Sequence, residues 1–78
     1  MRIDDLRLRP WDIERAVEVM PSGIMRDVLF LRYLMRMKWT RIGELLHMHT
    51  DLAKGYNVRA LNEAARLLEA MDGPGEAA

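Results

Sequence analysis

The sequence predicts an all-α domain of about four helices. Apolar residues recur at three- and four-residue steps through most of the chain, and no stretch alternates apolar and polar residues for long enough to predict a strand. Half of the 78 residues are hydrophobic, so one small core can form without disulfide bonds. We divide this single domain into an arm and first helix (1–23), a helical unit (24–71) and an acidic tail (72–78).

The first helix is predicted to begin at Pro10. Proline suits the first helical turn, because the N–H that it lacks would have no intrahelical partner there. Apolar residues at helical spacing follow, namely Ile13, Ala16, Val17 and Met20. The Pro21-Ser22-Gly23 sequence then ends the helix, since proline and glycine interrupt regular structure.

The second helix is predicted to begin near Ser22 or Gly23 and to end near Met37. Its apolar stripe is broad, which predicts a central position in the core. The stripe comprises Ile24, Val28, Leu31, Leu34 and Met35, and is widened by Leu29 and Phe30. The Lys38-Trp39-Thr40 sequence forms the next junction, where Trp39 is expected to cover the start of the third helix.

Two further helices are expected, joined by a turn at residues 48–50. The third is short and directs Ile42, Leu45 and Leu46 inward. Thr50 is the predicted N-cap of the fourth helix, and Asp51 suits its first turn because the helix dipole favours negative charge there. The inward stripe of the fourth helix comprises Ala53, Tyr56, Ala60, Ala64, Leu67, Leu68 and Met71. Residues 73–75 should end this helix, and the tail should be disordered.

The composition excludes several classes of site. The chain has no cysteine and only two histidines, so neither a disulfide framework nor a closed metal site is expected. Ser22 is the only serine and the carboxylates occur singly along the helices, so we expect no enzyme and no cofactor. No apolar run reaches the roughly 20 residues that cross a bilayer, and the acidic N-terminus does not resemble a signal peptide. We therefore expect a soluble cytoplasmic protein without a membrane partner.

The charged residues are unevenly distributed, although the net charge is zero. Residues 24–71 hold eight basic against five acidic side chains, whereas residues 1–23 and 72–78 carry a net negative charge. A mildly basic central segment permits a surface that faces phosphate groups but does not prove one.

Residues 42–53 have the spacing of a helix-turn-helix, in which the first helix supports a second that enters the DNA major groove. The pattern requires apolar residues that flank the turn and small residues where the helices meet. Ile42, Gly43, Leu46, Met48 and Ala53 provide it here. Gly43 would allow the two helices to approach closely, although short helical hairpins can have the same spacing.

About 45 residues of the chain resemble region 4 of the sigma-70 family of transcription initiation factors. The resemblance rests on Leu31-Arg32-Tyr33, on Ile42-Gly43-Glu44-Leu45-Leu46 and on Arg59-Ala60-Leu61. The junction at residues 38–40 is more similar to small phage regulators of the ArpU and RinA type, which share this domain. The chain has Gly43 where the family has alanine, His47 where it has glycine in the turn, and Asn57 where it has a hydrophobic residue.

The resemblance implies a small DNA-binding transcription regulator encoded by a phage or prophage. Double-stranded DNA is the expected partner, and RNA polymerase is a further candidate. The residues expected to face the major groove are Thr50, Asp51, Leu52, Lys54 and Gly55. The residues expected to contact the DNA backbone are Arg36, Lys38, Arg41, His49 and Arg59. The arm, the first helix and some of the methionines could also form a homodimer surface.

Each of these assignments has a plainer alternative. The basic side chains could simply be solvated charges on helix surfaces. Thr50 could be a simple N-cap residue, and His49 could be an exposed turn residue. A second hypothesis therefore remains open, in which the domain keeps this fold but binds another helical protein, or a second copy of itself, instead of DNA. Asp51 at the start of the fourth helix and the modest basic charge favour this hypothesis, whereas the resemblance favours DNA binding.

Overall fold

The computed structural model describes residues 8–72 and confirms the all-α fold. The helices of this segment are α1 (Pro10–Val19), α2 (Ile24–Leu29), α3 (Trp39–Leu46) and α4 (Thr50–Asp72), and α2 continues directly into a π-helical turn (Phe30–Leu34). The arm before Leu8 and the glycine-rich stop at residues 73–75 lie outside the described residues, as does most of the tail.

The core forms where the long helix α4 packs against the three shorter helices. Alanines on α4 let α1 and α2 approach closely, because the distance between packed helices depends on the side chains at the contact. The main cluster consists of Ile13, Ala16, Val17, Met20, Leu29, Ala60, Ala64 and Leu68. Val28, Ile42 and Ala53 are also completely buried. The buried positions predicted for α1 are therefore confirmed.

Helix α1 begins at Pro10, as predicted. Arg9 precedes the first turn, and its backbone N–H donates a hydrogen bond to the Asp12 carboxylate at 3.1 Å. This bond satisfies one of the backbone groups that a helix end leaves without a partner. At the other end, the Met20 N–H donates to the Ala16 carbonyl at 2.9 Å, just before the predicted stop at Pro21.

The second helix departs from the prediction at its C-terminal end. Its regular part is followed by a wide turn in which the Met35 N–H donates to the Phe30 carbonyl, five residues earlier, at 3.0 Å. Leu29 is completely buried, as predicted. Phe30 and Met35 are 41% and 53% exposed, so the prediction that these two residues lie in the core was wrong. Phe30 follows Leu29 by about 100° around the helix, and the wide turn breaks the regular spacing before Met35. The helical segment ends at Leu34, earlier than the predicted Met37.

Arg32 joins the end of this segment to α3. Its guanidinium donates a hydrogen bond to the Met37 carbonyl at 2.9 Å and lies 4.8 Å from the centre of the Trp39 ring. Arg36 between them adopts a left-handed backbone conformation with φ 58°. The Met37 N–H also donates to the Leu31 carbonyl at 3.0 Å. Trp39 is half-buried beneath the Arg32 guanidinium, and this cation–π contact stabilises the junction.

Two other residues predicted to face inward are exposed. Leu45 on α3 is 41% exposed, whereas Ile42 is completely buried and Leu46 is half-buried. Helix α3 is short and presents only a narrow face to its neighbours, so the third apolar position remains outside the core. Met71 is 49% exposed because it lies in the last turn of α4, beyond Leu68, the final buried residue of that helix.

The inward stripe of α4 contains one polar residue. Asn57 lies between Ala53 and Ala60 on this face, and its side-chain oxygen is buried without a hydrogen-bond partner among the described residues. A buried acceptor without a partner typically costs about 1–3 kcal/mol. Asn57 is therefore a half-buried polar residue on the inward side of α4.

An ion pair on α4 gives the fold a weak dependence on pH. The Arg66 guanidinium donates to the Glu63 carboxylate at 3.0 and 2.5 Å, and these hydrogen bonds lower the pKa of Glu63 below its ordinary value of 4.5. Because the pKa is lowered in the folded state, the pair stabilises the fold at neutral pH. That contribution is lost as the pH falls through the lowered pKa. Both side chains are in contact with solvent, which keeps the contribution small.

Candidate nucleic-acid interface

A three-residue turn, 47–49, connects α3 to α4. It begins with His47 in a left-handed conformation, φ 57° and ψ 48°. The Met48 N–H donates to the Gly43 carbonyl at 2.9 Å, and the His47 N–H to the Glu44 carbonyl at 3.4 Å. This pair of bonds is the Schellman arrangement, in which glycine usually occupies the left-handed position. The turn therefore begins one residue earlier than predicted, with His47 at the glycine position.

Replacement of His47 by glycine should raise the free energy of unfolding by about 0.5–1 kcal/mol. The left-handed conformation costs a non-glycine residue roughly 1–2 kcal/mol. The greater freedom of glycine in the unfolded chain offsets about 0.4–1 kcal/mol of the gain. Urea unfolding followed by circular dichroism measures the change. His49→Gly is the matched control and should destabilise the fold, so a His47→Gly protein less stable than the wild type would contradict this account of the turn.

Gly43 allows α3 to approach the start of α4 closely, as predicted. A Cβ atom at this position would lie 2.7 Å from the Met48 carbonyl oxygen and 3.6 Å from the Thr50 nitrogen. The first of these distances is shorter than a carbon and an oxygen tolerate, and its partner is a backbone atom that side-chain rotation cannot move. The turn can follow α3 this closely only because residue 43 has no side chain.

His49, and not Thr50, occupies the N-cap of α4. The His49 carbonyl accepts the hydrogen bond of the Ala53 N–H at 3.1 Å, and its Nδ1 atom accepts that of the Asp51 N–H, also at 3.1 Å. The predicted N-cap role of Thr50 was therefore wrong, because Thr50 is already the first residue of the helix. Its half-buried side chain instead faces Gly43. The Asp51 carboxylate lies 3.8 Å from the His49 ring nitrogen.

The first turns of α4 present most of the predicted DNA-reading residues to solvent. Asp51, Leu52, Lys54 and Gly55 are exposed, whereas Ala53 between them is completely buried. At 100° per residue, the outward side of the helix therefore carries residues 51, 52 and 55. Residue 59 lies on the same side, two turns beyond residue 52. The Arg59 guanidinium lies 5.9 Å from the centre of the Tyr56 ring.

The predicted phosphate-contacting side chains are also exposed, but they differ in their surroundings. Arg41 forms an exposed ion pair of 3.4 Å with Glu44, a type of contact that contributes little in water and yields readily to a phosphate. Lys38 is the N-cap residue of α3 and has no ion pair within residues 8–72. Arg36 lies two residues beyond the end of the π-helical turn, where it lines a cleft beside α1.

This cleft was not predicted from the sequence. It has a volume of about 460 Å³ and is lined by Leu8, Pro10, Ile13, Arg32, Tyr33 and Arg36. Arg32 lies in the π-helical turn and Arg36 lies two residues beyond its end, and both contribute to the lining of this one cleft. The positive φ of Arg36 and the contact between Arg32 and Trp39, which position these side chains, have no evident signal in the sequence.

No protein-family model, curated protein or solved structure matches this chain. Within residues 8–72, no three histidine, aspartate or glutamate side chains are grouped so that they could hold a metal ion. None of the helices described for this chain is long and apolar enough to span a membrane.

Proposed function

We propose that this protein is a small DNA-binding transcription regulator that inserts the first turns of α4 into the major groove. The observation that carries the proposal is the α3–α4 pair, whose short turn is closed against Gly43 and followed by exposed polar and apolar side chains. In a helix-turn-helix the first helix supports a second helix whose N-terminal residues are free to reach base edges, and this arrangement supports that interpretation. The resemblance to phage regulators extends the proposal to a phage or prophage source, with RNA polymerase as a candidate partner.

In this proposal the exposed cations divide into two groups. Lys54 lies one turn into α4, where a side chain can reach base edges as well as phosphates. The cations assigned to phosphate groups are Arg36, Lys38, Arg41 and Arg59. Contacts of this second kind supply affinity without sequence preference, because every nucleotide carries the same phosphate group.

Titration with duplex DNA at two salt concentrations tests the proposal. Four phosphate contacts predict a slope of log affinity against log salt of about −3.6, so a fourfold rise in salt should weaken binding roughly 150-fold. Lys54→Ala should weaken the binding free energy for a preferred sequence by on the order of 1–3 kcal/mol. It should also reduce the ratio of the affinity for that sequence to the affinity for random DNA. Arg41→Ala should weaken all sequences alike and reduce the slope by about one unit.

Asp51 provides a test of opposite sign. A carboxylate near phosphates repels them, so Asp51→Asn should tighten binding unless the acid accepts a hydrogen bond from a cytosine amino group. If the wild-type protein binds no duplex at low salt, or if Lys54, Arg41 and Asp51 can all be replaced without effect on binding, DNA is not the ligand of this surface.

A second candidate function is binding to another protein, and the cleft beside α1 favours it. The cleft beside α1 combines an apolar floor with two arginines, and large apolar side chains are exposed elsewhere on these helices. The residues concerned are Trp11, Val19, Phe30 and Met35. A second copy of the chain is one candidate partner. A molecular mass in solution of twice that of one chain, together with the absence of binding in the DNA titration, would favour this function.

A further inference from the structure

Gly55 has no role in the internal packing of the described residues. It lies in the second turn of α4, where glycine weakens a helix relative to alanine. A Cβ atom at this position would meet nothing within 4 Å, and the backbone does not adopt a left-handed conformation. Gly43 provides the contrast, because a Cβ there would meet backbone at 2.7 Å. Packing within residues 8–72 therefore does not explain a glycine at residue 55.

The neighbours of Gly55 form a narrow apolar strip on the outward side of α4. Leu52 lies three residues before it and is 52% exposed. Tyr56 is half-buried beside it, and Arg59, four residues after it, rests on the Tyr56 ring. Residues at these spacings lie on one side of a helix. The strip therefore combines an exposed apolar side chain with a segment of backbone that no side chain covers.

We infer that Leu52 and Gly55 contact the C5-methyl groups of thymines in the major groove, and that Gly55 allows the helix backbone to approach the bases closely. This inference rests on the DNA-binding function proposed above. The thymine methyl is the apolar group that the major groove presents, and it pairs with apolar side chains. Lys54 lies beside the strip and Arg59 lies at its C-terminal end, one turn beyond Gly55, whereas the single carboxylate of Asp51 lies one turn before Gly55. Two neighbouring cations suit a polyanion better than the apolar surface of a protein partner.

Gly55→Ala separates this contact from the stability of the fold. Alanine should raise the melting temperature, because it favours the helix and meets no neighbour. The same methyl group should weaken binding to a duplex selected by the wild-type protein from a random library. The loss should be at least about tenfold, the size of one mismatched base pair. Asn62→Ala, two turns further along, is the control and should leave the affinity for that duplex unchanged.

Replacement of thymine by uracil in the selected duplex tests the partner group directly. Removal of a contacted methyl should weaken wild-type binding about fourfold for each methyl. Leu52→Ala should bind less tightly than the wild type and should lose part of this sensitivity to uracil. Because Leu52 is exposed, this variant should melt close to the wild-type temperature, which separates a loss of contact from a loss of fold.

The outcomes distinguish this inference from the proposed function. Wild-type binding to the selected duplex combined with unchanged affinity of Gly55→Ala would overturn the inference and leave DNA binding intact. Equal affinity of the wild-type protein for the thymine and uracil duplexes would also overturn the inference and leave DNA binding intact. If the wild-type protein selects no duplex and binds none at low salt, the proposed function fails, and the inference fails with it.

Discussion

Replacement of Leu29 by alanine is expected to lower the free energy of unfolding by about 2–5 kcal/mol. Leu29 is completely buried in the cluster that joins α1, α2 and α4. Removal of its side chain leaves a cavity that the neighbouring helices can only partly close. A domain of this size has little stability to spare, so the variant should be largely unfolded at physiological temperature. Urea unfolding followed by circular dichroism measures the difference.

Phe30→Ala is the matched control for Leu29→Ala. The two residues are adjacent, but Phe30 is 41% exposed, so its loss should cost clearly less than that of Leu29. A Phe30 variant as unstable as the Leu29 variant would show that the side chains of the second helix face directions other than those described above. The pair therefore tests the helix register at the point where the sequence-based prediction failed.

Gly43→Ala is expected to destabilise the fold by about 1–3 kcal/mol, because it forces an atom into a space that is already filled. The added Cβ would lie 2.7 Å from the Met48 carbonyl oxygen, so the turn would have to move away from α3. Any such movement would also disturb the hydrogen bond of 2.9 Å between the Met48 N–H and the Gly43 carbonyl. The melting temperature and the urea midpoint should both fall.

Gly55→Ala is the matched control, because it adds the same methyl group to another helix where nothing lies within 4 Å. It should stabilise the protein by up to about 1 kcal/mol. The two alanine variants should therefore shift the stability in opposite directions. A stabilised Gly43→Ala protein would contradict the close approach of α3 and the turn.

The sequence predicted those features that depend on a single residue type and its immediate neighbours. Pro10 indicated the start of α1 because proline has few acceptable positions in a helix. The small residues Gly43 and Ala53 indicated where α3 and α4 meet, and the structure places both in buried positions. The exposed polar residues at the start of α4 could be predicted in the same way, since they alternate with the inward stripe.

Features that depend on competition between neighbouring groups could not be predicted. Thr50 is a better N-cap residue than histidine by its intrinsic preference, yet the left-handed residue at 47 ends α3 early enough for His49 to take that position. Leu45 has the apolar character of a core residue, but α3 offers its neighbours too narrow a face to bury it. The first outcome depends on the backbone geometry of the turn and the second on tertiary packing, and the local sequence pattern contains neither.

The π-helical turn at Phe30–Leu34 has a consequence for the evolution of this chain. A turn closed by a bond over five residues holds one residue more than an α-helical turn, so it accommodates a single-residue insertion without interrupting the helix. A relative one residue shorter at this point would form an uninterrupted α-helix here. Its alignment with this sequence would then require a gap of one residue inside a helix, where gaps are normally penalised.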